Sequence, residues 1–261
     1  MFSPARPPRA APPAAPRAPL RATLPDGGTV EVRCVENRRV RGLRLTVTER
    51  GVRLTMPPRT GERRALAFVQ EHAGWLAGQL RHTFDGVEPL QVGTSTTLPL
   101  RGVDVPLAWR EGRFLRVELE EAGVAATLPP ALDARRVRKA FADFYLAQAR
   151  ADVGRWLPKY LPSLPRAPRD VSIRPLTSLW GSLAPDGRMR LDLALVIAPP
   201  AAFEYVLVHE LCHLIQANHS SVFWDEVERR YPDWEAQRDL LRTRGRPIKA
   251  ALRAACDTPA G

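Results

Sequence analysis

The 261-residue sequence predicts an α+β fold, in which small antiparallel β-sheets and a helix lead into a mainly helical second half. Three observations predict it. Residues 28–120 carry short runs that alternate apolar and polar side chains, the period of half-buried strands. Residues 131–157 change to helical spacing, and residues 203–215 form an almost continuous apolar run. Proline pairs at 57–58, 129–130 and 199–200 punctuate the chain where these characters change.

The elements follow in order. Residues 1–25 hold eight prolines and seven alanines, which can neither sustain a helix nor bury much apolar surface, so residues 1–27 are expected to be a disordered leader. Strands are expected at Thr29–Val35, Leu43–Val47 and Val52–Met56, the last two joined by the turn at Glu49-Arg50-Gly51. Thr60 then precedes a helix with Leu66, Val69, Ala73, Leu76 and Leu80 on one face. Strand alternation returns at Val103–Leu107 and Leu115–Leu119. A helix over 131–157 would bury Val137, Phe141, Phe144, Tyr145, Ala149 and Val153. Two short strands, Val171–Pro175 and Met189–Leu193, flank the Asp186-Gly187 turn, and Pro199-Pro200 opens the apolar helix. Helices over Val222–Tyr231 and after Asp233 complete the chain. The expected divisions are a leader over 1–27, a β-rich region over 28–129, a catalytic region over 130–245 and a basic tail over 246–261.

Composition narrows the class. No apolar run reaches the roughly 18 residues that span a bilayer, and the N-terminus lacks a compact apolar signal, so no membrane partner and a cytoplasmic location are expected. Cys34, Cys212 and Cys256 are far apart, odd in number and form no CxxC pair, so they suggest neither a disulfide framework nor a thiolate zinc knuckle and fit a reducing compartment. Of the formal +11, residues 1–25 contribute +4 and residues 238–261 another +4, leaving +3 for the body. Such basic tails attract nucleic acid without specificity.

The chemistry concentrates in one segment. From Phe203 to Ile215 the helix is apolar all round except for Glu204, His209, Glu210 and His213, so it is a buried helix carrying ionisable groups. Burying two imidazoles and a carboxylate is costly unless they gain partners, and a bound cation is such a partner. His209 and His213 are four residues apart and stack on one face, which lets both reach one zinc ion. Glu210 stands beside that pair, as a general base toward water must. His219, six residues on and beyond a turn at Ala217-Asn218, is the third ligand; Glu226 or Glu228 on the following helix is the competing choice. The spacing matches metzincin proteases, yet Gln216 replaces their glycine and no methionine follows the motif. Cys212 reads as a packed core thiol.

Trp180-Gly181-Ser182, Tyr205 through His213, Asn218-His219-Ser220, Phe223-Trp224 and Pro232-Asp233-Trp234 together resemble the YgjP-like metallopeptidase domain family, which is related to SprT-like zinc proteases. The likeness covers roughly residues 28–245, with the specific motifs in 174–234. It implies a zincin-like catalytic region with one zinc per chain on His209, His213 and His219, Glu210 as general base, and peptide hydrolysis. Leu183-Ala184 departs from the Cys-Ser that commonly follows Trp-Gly-Ser in that family. Trp180 and Arg174 are the candidates for substrate contact, and Arg188–Leu193 is the candidate strand for pairing with an extended peptide. A second reading keeps the metal and gives the site a nucleotide phosphoanhydride to hydrolyse. A third makes the chain a nucleic-acid-associated protein of the SprT-like kind.

Overall fold

The computed structural model describes residues 17–130 and 133–256, which form two compact units that part between Thr83 and Phe84. The chain is α+β, with six α-helices and three small sheets among the described residues.

The first unit is a four-stranded sheet backed by two helices. Strands β1 (Leu20–Thr23), β2 (Thr29–Glu36), β3 (Arg44–Thr48) and β4 (Gly51–Met56) lie in the order β1-β2-β4-β3, with β2 and β4 parallel and both outer pairs antiparallel. Alternation sets the faces. Leu20, Ala22, Val32, Cys34, Val47, Val52, Leu54 and Met56 point to one side and pack with Ala65, Val69 and Leu76 of helices α1 (Glu62–Glu71) and α2 (Ala73–Phe84). The expected single helix is therefore two, broken at His72, whose backbone leaves helical geometry while its Nδ1 bonds the Phe68 carbonyl at 2.8 Å.

Strand β1 corrects the expected leader, whose residues 1–16 lie outside the described residues. Leu20 and Ala22 alternate with Arg21 and Thr23, and the turn at Asp26-Gly27-Gly28 folds them onto β2. There Gly27 takes a φ of 82° and Asp26 accepts a hydrogen bond from the Gly28 N–H at 3.0 Å. Four alternating residues are easily lost among so many prolines.

In the second unit, strands β5 (Thr97–Leu100), β6 (Val103–Glu111), β7 (Arg116–Glu120) and β8 (Gly123–Leu128) form a sheet of order β5-β6-β8-β7. Its buried side chains share one core with helix α3 (Ala134–Tyr160), where Phe141, Phe144, Tyr145, Ala149 and Val153 are buried as their spacing predicts. Residues 92–128 thus pack with the helical half of the chain, and the compact units part between Thr83 and Phe84 rather than at 129/130. Asp133 caps α3 by accepting the Arg135 N–H at 3.0 Å.

The second unit continues with β9 (Asp170–Arg174), β10 (Gly181–Leu183) and β11 (Arg188–Asp192), in the order β10-β11-β9. The Asp186-Gly187 turn joins β11 to β10, a three-residue strand too short to read from alternation, and β9 pairs with β11 in parallel. Helix α4 (Pro200–Cys212) carries the apolar run, α5 (Ser221–Arg230) comes after it, and α6 (Trp234–Cys256) closes the unit. Residues 246–256, expected to be tail, are the last turns of α6, held by burial of Ile248, Leu252 and Ala255; residues 257–261 lie outside the described residues. No described helix is long and apolar enough to cross a membrane.

The start of α4 is fixed from the β5–β6 hairpin. Arg101 and Gly102 donate their N–H groups to the Val196 and Ile197 carbonyls at 2.8 Å. Gly102, at a φ of 85°, lies so near Pro199 that a Cβ would stand 3.0 Å from its Cα. The Arg101 guanidinium grips the buried Asp152 carboxylate from α3 through Nε and Nη2, at 2.9 to 3.2 Å.

Candidate metal centre

Helix α4 begins with Pro199 in an extended conformation at its N-cap and Pro200 at its first helical position, where a missing N–H costs nothing. Nine of its thirteen residues are buried, Glu210 among them at 5% exposure. The helix ends at Cys212, which places His213 at its C-cap with φ −66° and ψ −15°. The Leu214, Ile215 and Gln216 N–H groups then bond back to Leu211 and Cys212, reversing the chain so that His219 returns over His209.

The three imidazoles converge. Their candidate ligand nitrogens all lie within 4.8 Å of one another, and Nε2 of His209 and of His219 are 3.0 Å apart. Two ligands of one tetrahedral ion at 2.0–2.1 Å stand about 3.3 Å apart, so this spacing needs little adjustment. The His213 Nδ1 donates to the Gln216 carbonyl at 3.1 Å, which fixes the tautomer and leaves Nε2 with its lone pair. All three rings rest on Phe223 of α5, with centroids 4.5 to 4.9 Å away. The fully buried phenyl ring gives the cluster an apolar floor.

Electrostatics favours the neutral, ligand-ready forms. Burial, reinforced by the neighbouring His213 and His219, pushes the His209 imidazole down to about 3. Burial also lowers His213 and raises the Glu210 carboxyl to about 8, against the hydrogen bond from the Leu183 N–H. A divalent cation is the partner this set lacks: it accepts neutral imidazoles and favours an ionised carboxylate beside it. The three histidines could hold one metal ion.

Around the cluster opens a cleft of about 980 Å³. One wall is β10, and the contact with α4 is tight. A Cβ on Gly181 would stand 2.6 Å from Glu210 Cγ and Oε1, so only glycine admits the carboxylate here. The Trp180 carbonyl and the Ala184 N–H are spent on β11, so Gly181 and Leu183 turn their backbone groups to the sheet's open edge, facing the cleft. The expected peptide-pairing segment, Arg188–Leu193, cannot serve, because β11 is the central strand and is paired on both sides.

Of the other residues singled out from sequence, Trp180 lines the cleft and Arg174 does not. Arg174 stands at the end of β9, across β11 from β10. Trp180 is also a packing residue: Lys249 Nζ lies 4.6 Å above its ring, and Gly245 leaves room for its indole, whose Cζ2 would be 2.8 Å from a Cβ there. Lys249 ties the segment before β10 to α6, with its ammonium on the Leu176 and Leu179 carbonyls at 3.0 Å and on the buried Asp192 carboxylate at 2.5 Å. Glu226 and Glu228 are engaged elsewhere. Glu226 pairs with Arg229 and Arg230, and Glu228 accepts from the Trp234 indole N–H.

Two cleft residues escape a reading of the sequence. Tyr205, one turn before His209, lines the cleft with its ring 5.9 Å from that imidazole. Arg238 of α6 lies over the stacked Trp224 and Trp234 rings, 5.3 and 5.5 Å from their centroids, and its charge is felt at Tyr205 and His209. Among the described residues it has no carboxylate partner. No sequence spacing links Arg238 to the motif 25 residues earlier; only the return of α6 brings it there.

A family model described as the YgjP-like metallopeptidase domain matches residues 41–244. No curated protein matches the chain. Among solved structures, the crystal structure of the metallopeptidase zymogen of Pyrococcus abyssi abylysin is 29% identical, covering 39% of this chain and 92% of that one, with a TM-score of 0.29.

Proposed function

The chain belongs to the YgjP-like metallopeptidase family, a family of metal-dependent hydrolases, and from that premise we propose a zinc-dependent peptidase with His209, His213 and His219 as ligands and Glu210 as general base. The observation that carries the reading is the convergence of three imidazoles beside a buried carboxylate, on the wall of an open cleft. Zinc held by these three imidazoles would supply Lewis acidity, which polarises a peptide carbonyl and lowers the pKa of water towards about 7.

The protein's own groups do the rest. Glu210 takes the proton from the attacking water on its carboxylate and returns it to the leaving amine. The Leu183 N–H holds that carboxylate in place, and Gly181 leaves it room. Extended peptide lies along the edge of β10, where Gly181 offers its N–H and C=O, so that the scissile carbonyl passes the histidines. Arg238 and Tyr205 supply the positive charge and hydroxyl that face the charge developing on the carbonyl oxygen.

The test joins elemental analysis with hydrolysis of a mixed peptide library. Wild type is expected to hold about one zinc per chain, and His209→Ala to lose it. Glu210→Gln is expected to keep the metal and lose hydrolysis. Retained cleavage by Glu210→Gln overturns the assignment of the base, and a wild type that takes up no divalent ion overturns the centre.

A second reading, hydrolysis of a nucleotide phosphoanhydride at the same centre, draws on Arg166, Arg238 and Arg242 in the cleft wall, cations suited to phosphate. Pyrophosphate release from nucleoside triphosphates without peptide cleavage would select it.

A further inference from the structure

The division into two units redistributes the charge. Up to Thr83 the chain has fifteen arginines, no lysine and six acidic residues, a formal +9; from Phe84 onward 24 basic residues face 22 acidic ones, a formal +2. The near-balance of the body is an average over two unlike parts. The excess is not confined to the ends of the chain.

Within the first unit, strand alternation sorts the arginines. One face of the sheet packs on α1 and α2, and the opposite face is turned to solvent. On the open face Arg33 of β2 stands in register with Arg53 of β4, and Arg53 in register with Thr46 of β3. Arg44 pairs with Thr55 one step along, and all three arginines are exposed. The loop from β2 to β3 adds exposed Arg38, Arg39 and Arg41 at the end of the sheet where β2 finishes and β3 begins. Among the described residues, none of these six pairs with a carboxylate, and the one acid on the face, Glu31, is taken by Arg21. Arginines placed directly opposite one another repel, so the isolated protein gains nothing from this arrangement. A polyanion would relieve it.

We propose that this open sheet face binds duplex nucleic acid through its phosphates, without regard to sequence. The side chains choose that partner. The strand positions of the face carry no aromatic ring on which an unpaired base could stack, which disfavours a single strand. They carry no large apolar anchor of the kind a membrane surface requires. Guanidinium groups on neighbouring strands, flanked by threonine hydroxyls, suit closely spaced phosphates. The surface lies within the first unit and owes nothing to the metal centre.

The experiment measures anisotropy of a labelled duplex of about 20 base pairs with the full-length protein, from about 50 to about 200 mM salt. Arg33→Gln/Arg44→Gln/Arg53→Gln is expected to weaken binding at least about tenfold and to lower the slope of log K against log salt by about 3. Arg63→Gln/Arg64→Gln/Arg81→Gln removes the same charge from the exposed sides of α1 and α2 and is expected to change affinity less than about twofold. Arg33→Lys/Arg44→Lys/Arg53→Lys is expected to preserve binding, which separates lost charge from lost fold. Equal losses from the sheet and helix triples overturn the proposal, because net charge alone would then suffice. So does loss of binding in Arg6→Gln/Arg9→Gln, which would assign the attraction to the leader. Preference for phosphatidylserine vesicles or single-stranded RNA over the duplex, or no binding at all, also overturns it.

Discussion

Gly181 approaches Glu210 so closely that a Cβ in its place would stand 2.6 Å from the carboxylate Oε1. Backbone strain is not the reason for the glycine here, since the requirement is space alone. Gly181→Ala is expected to push the Glu210 carboxylate out of line with its water, lowering kcat by about 10² while zinc content stays unchanged. Steady-state kinetics with elemental analysis checks this. An unchanged kcat would show that Glu210 tolerates displacement and does not act as the positioned base.

His219 and Glu226 compete as third ligand on sequence, but their surroundings differ. His219 Nε2 faces His209 Nε2, whereas Glu226 faces Arg229 and Arg230. On the proposed ligand set His219→Ala lowers zinc from about one per chain towards none, while Glu226→Gln keeps it. The reverse result would move the third ligand to α5.

Glu226 also gives a pH signature. Hydrogen bonds from Arg230 and then Arg229 hold its carboxyl below the usual carboxylate range. A depressed folded-state pKa contributes stability that is present above the unfolded value of about 4.3 and is lost as pH falls through the folded value. The stability difference between wild type and Glu226→Gln is therefore expected to be full at neutral pH and to shrink in acid. Urea denaturation across that range measures it, and a difference that grows on acidification would reverse the sign argued here.

The half-buried Lys249 and the buried Asp192 form an ion pair beneath the segment that leads into β10. Burial raises the Asp192 carboxyl, and Lys249 opposes that rise. Lys249→Ala strands the carboxylate and is expected to cost about 3–5 kcal/mol. Asp192→Asn/Lys249→Ala should cost less than Asp192→Asn and Lys249→Ala summed. Additivity in that double-mutant cycle would mean that the two charges do not depend on each other.

Arg238 separates two kinds of contribution. If its charge acts on the developing oxyanion, Arg238→Gln lowers kcat by about 10² with zinc retained. If it only holds peptide, KM rises and kcat stays. The first outcome is expected, because Arg238 already bears on Tyr205 and His209.

The candidate metal centre is legible in the sequence because two of its imidazoles and its carboxylate lie within five residues at the end of one helix, where spacing converts directly into geometry. His219 is legible because a six-residue return is short. Trp180, singled out for substrate contact, lines the cleft, but its packing on Gly245 and beneath Lys249 cannot be foreseen from residues more than sixty positions away. Arg174 misleads through the same gap, since sequence gives a strand but not the strand's place in its sheet. The choice of β11 as the peptide-pairing strand fails for that reason, because a central strand has no free backbone edge.

The sequence by itself determined the α+β class, most of the strands and long helices, and the His209–Glu210–His213 constellation, all of which rest on local periodicity. Tertiary structure alone decided that β10 is the edge beside Glu210, that Gly181 makes room for the carboxylate, and that Arg238 enters the cleft. It also decided that arginines scattered over Arg33–Arg53 share one open face. Each of these depends on which distant segments pair, and pairing is set by the burial of whole faces rather than by any short run of residues.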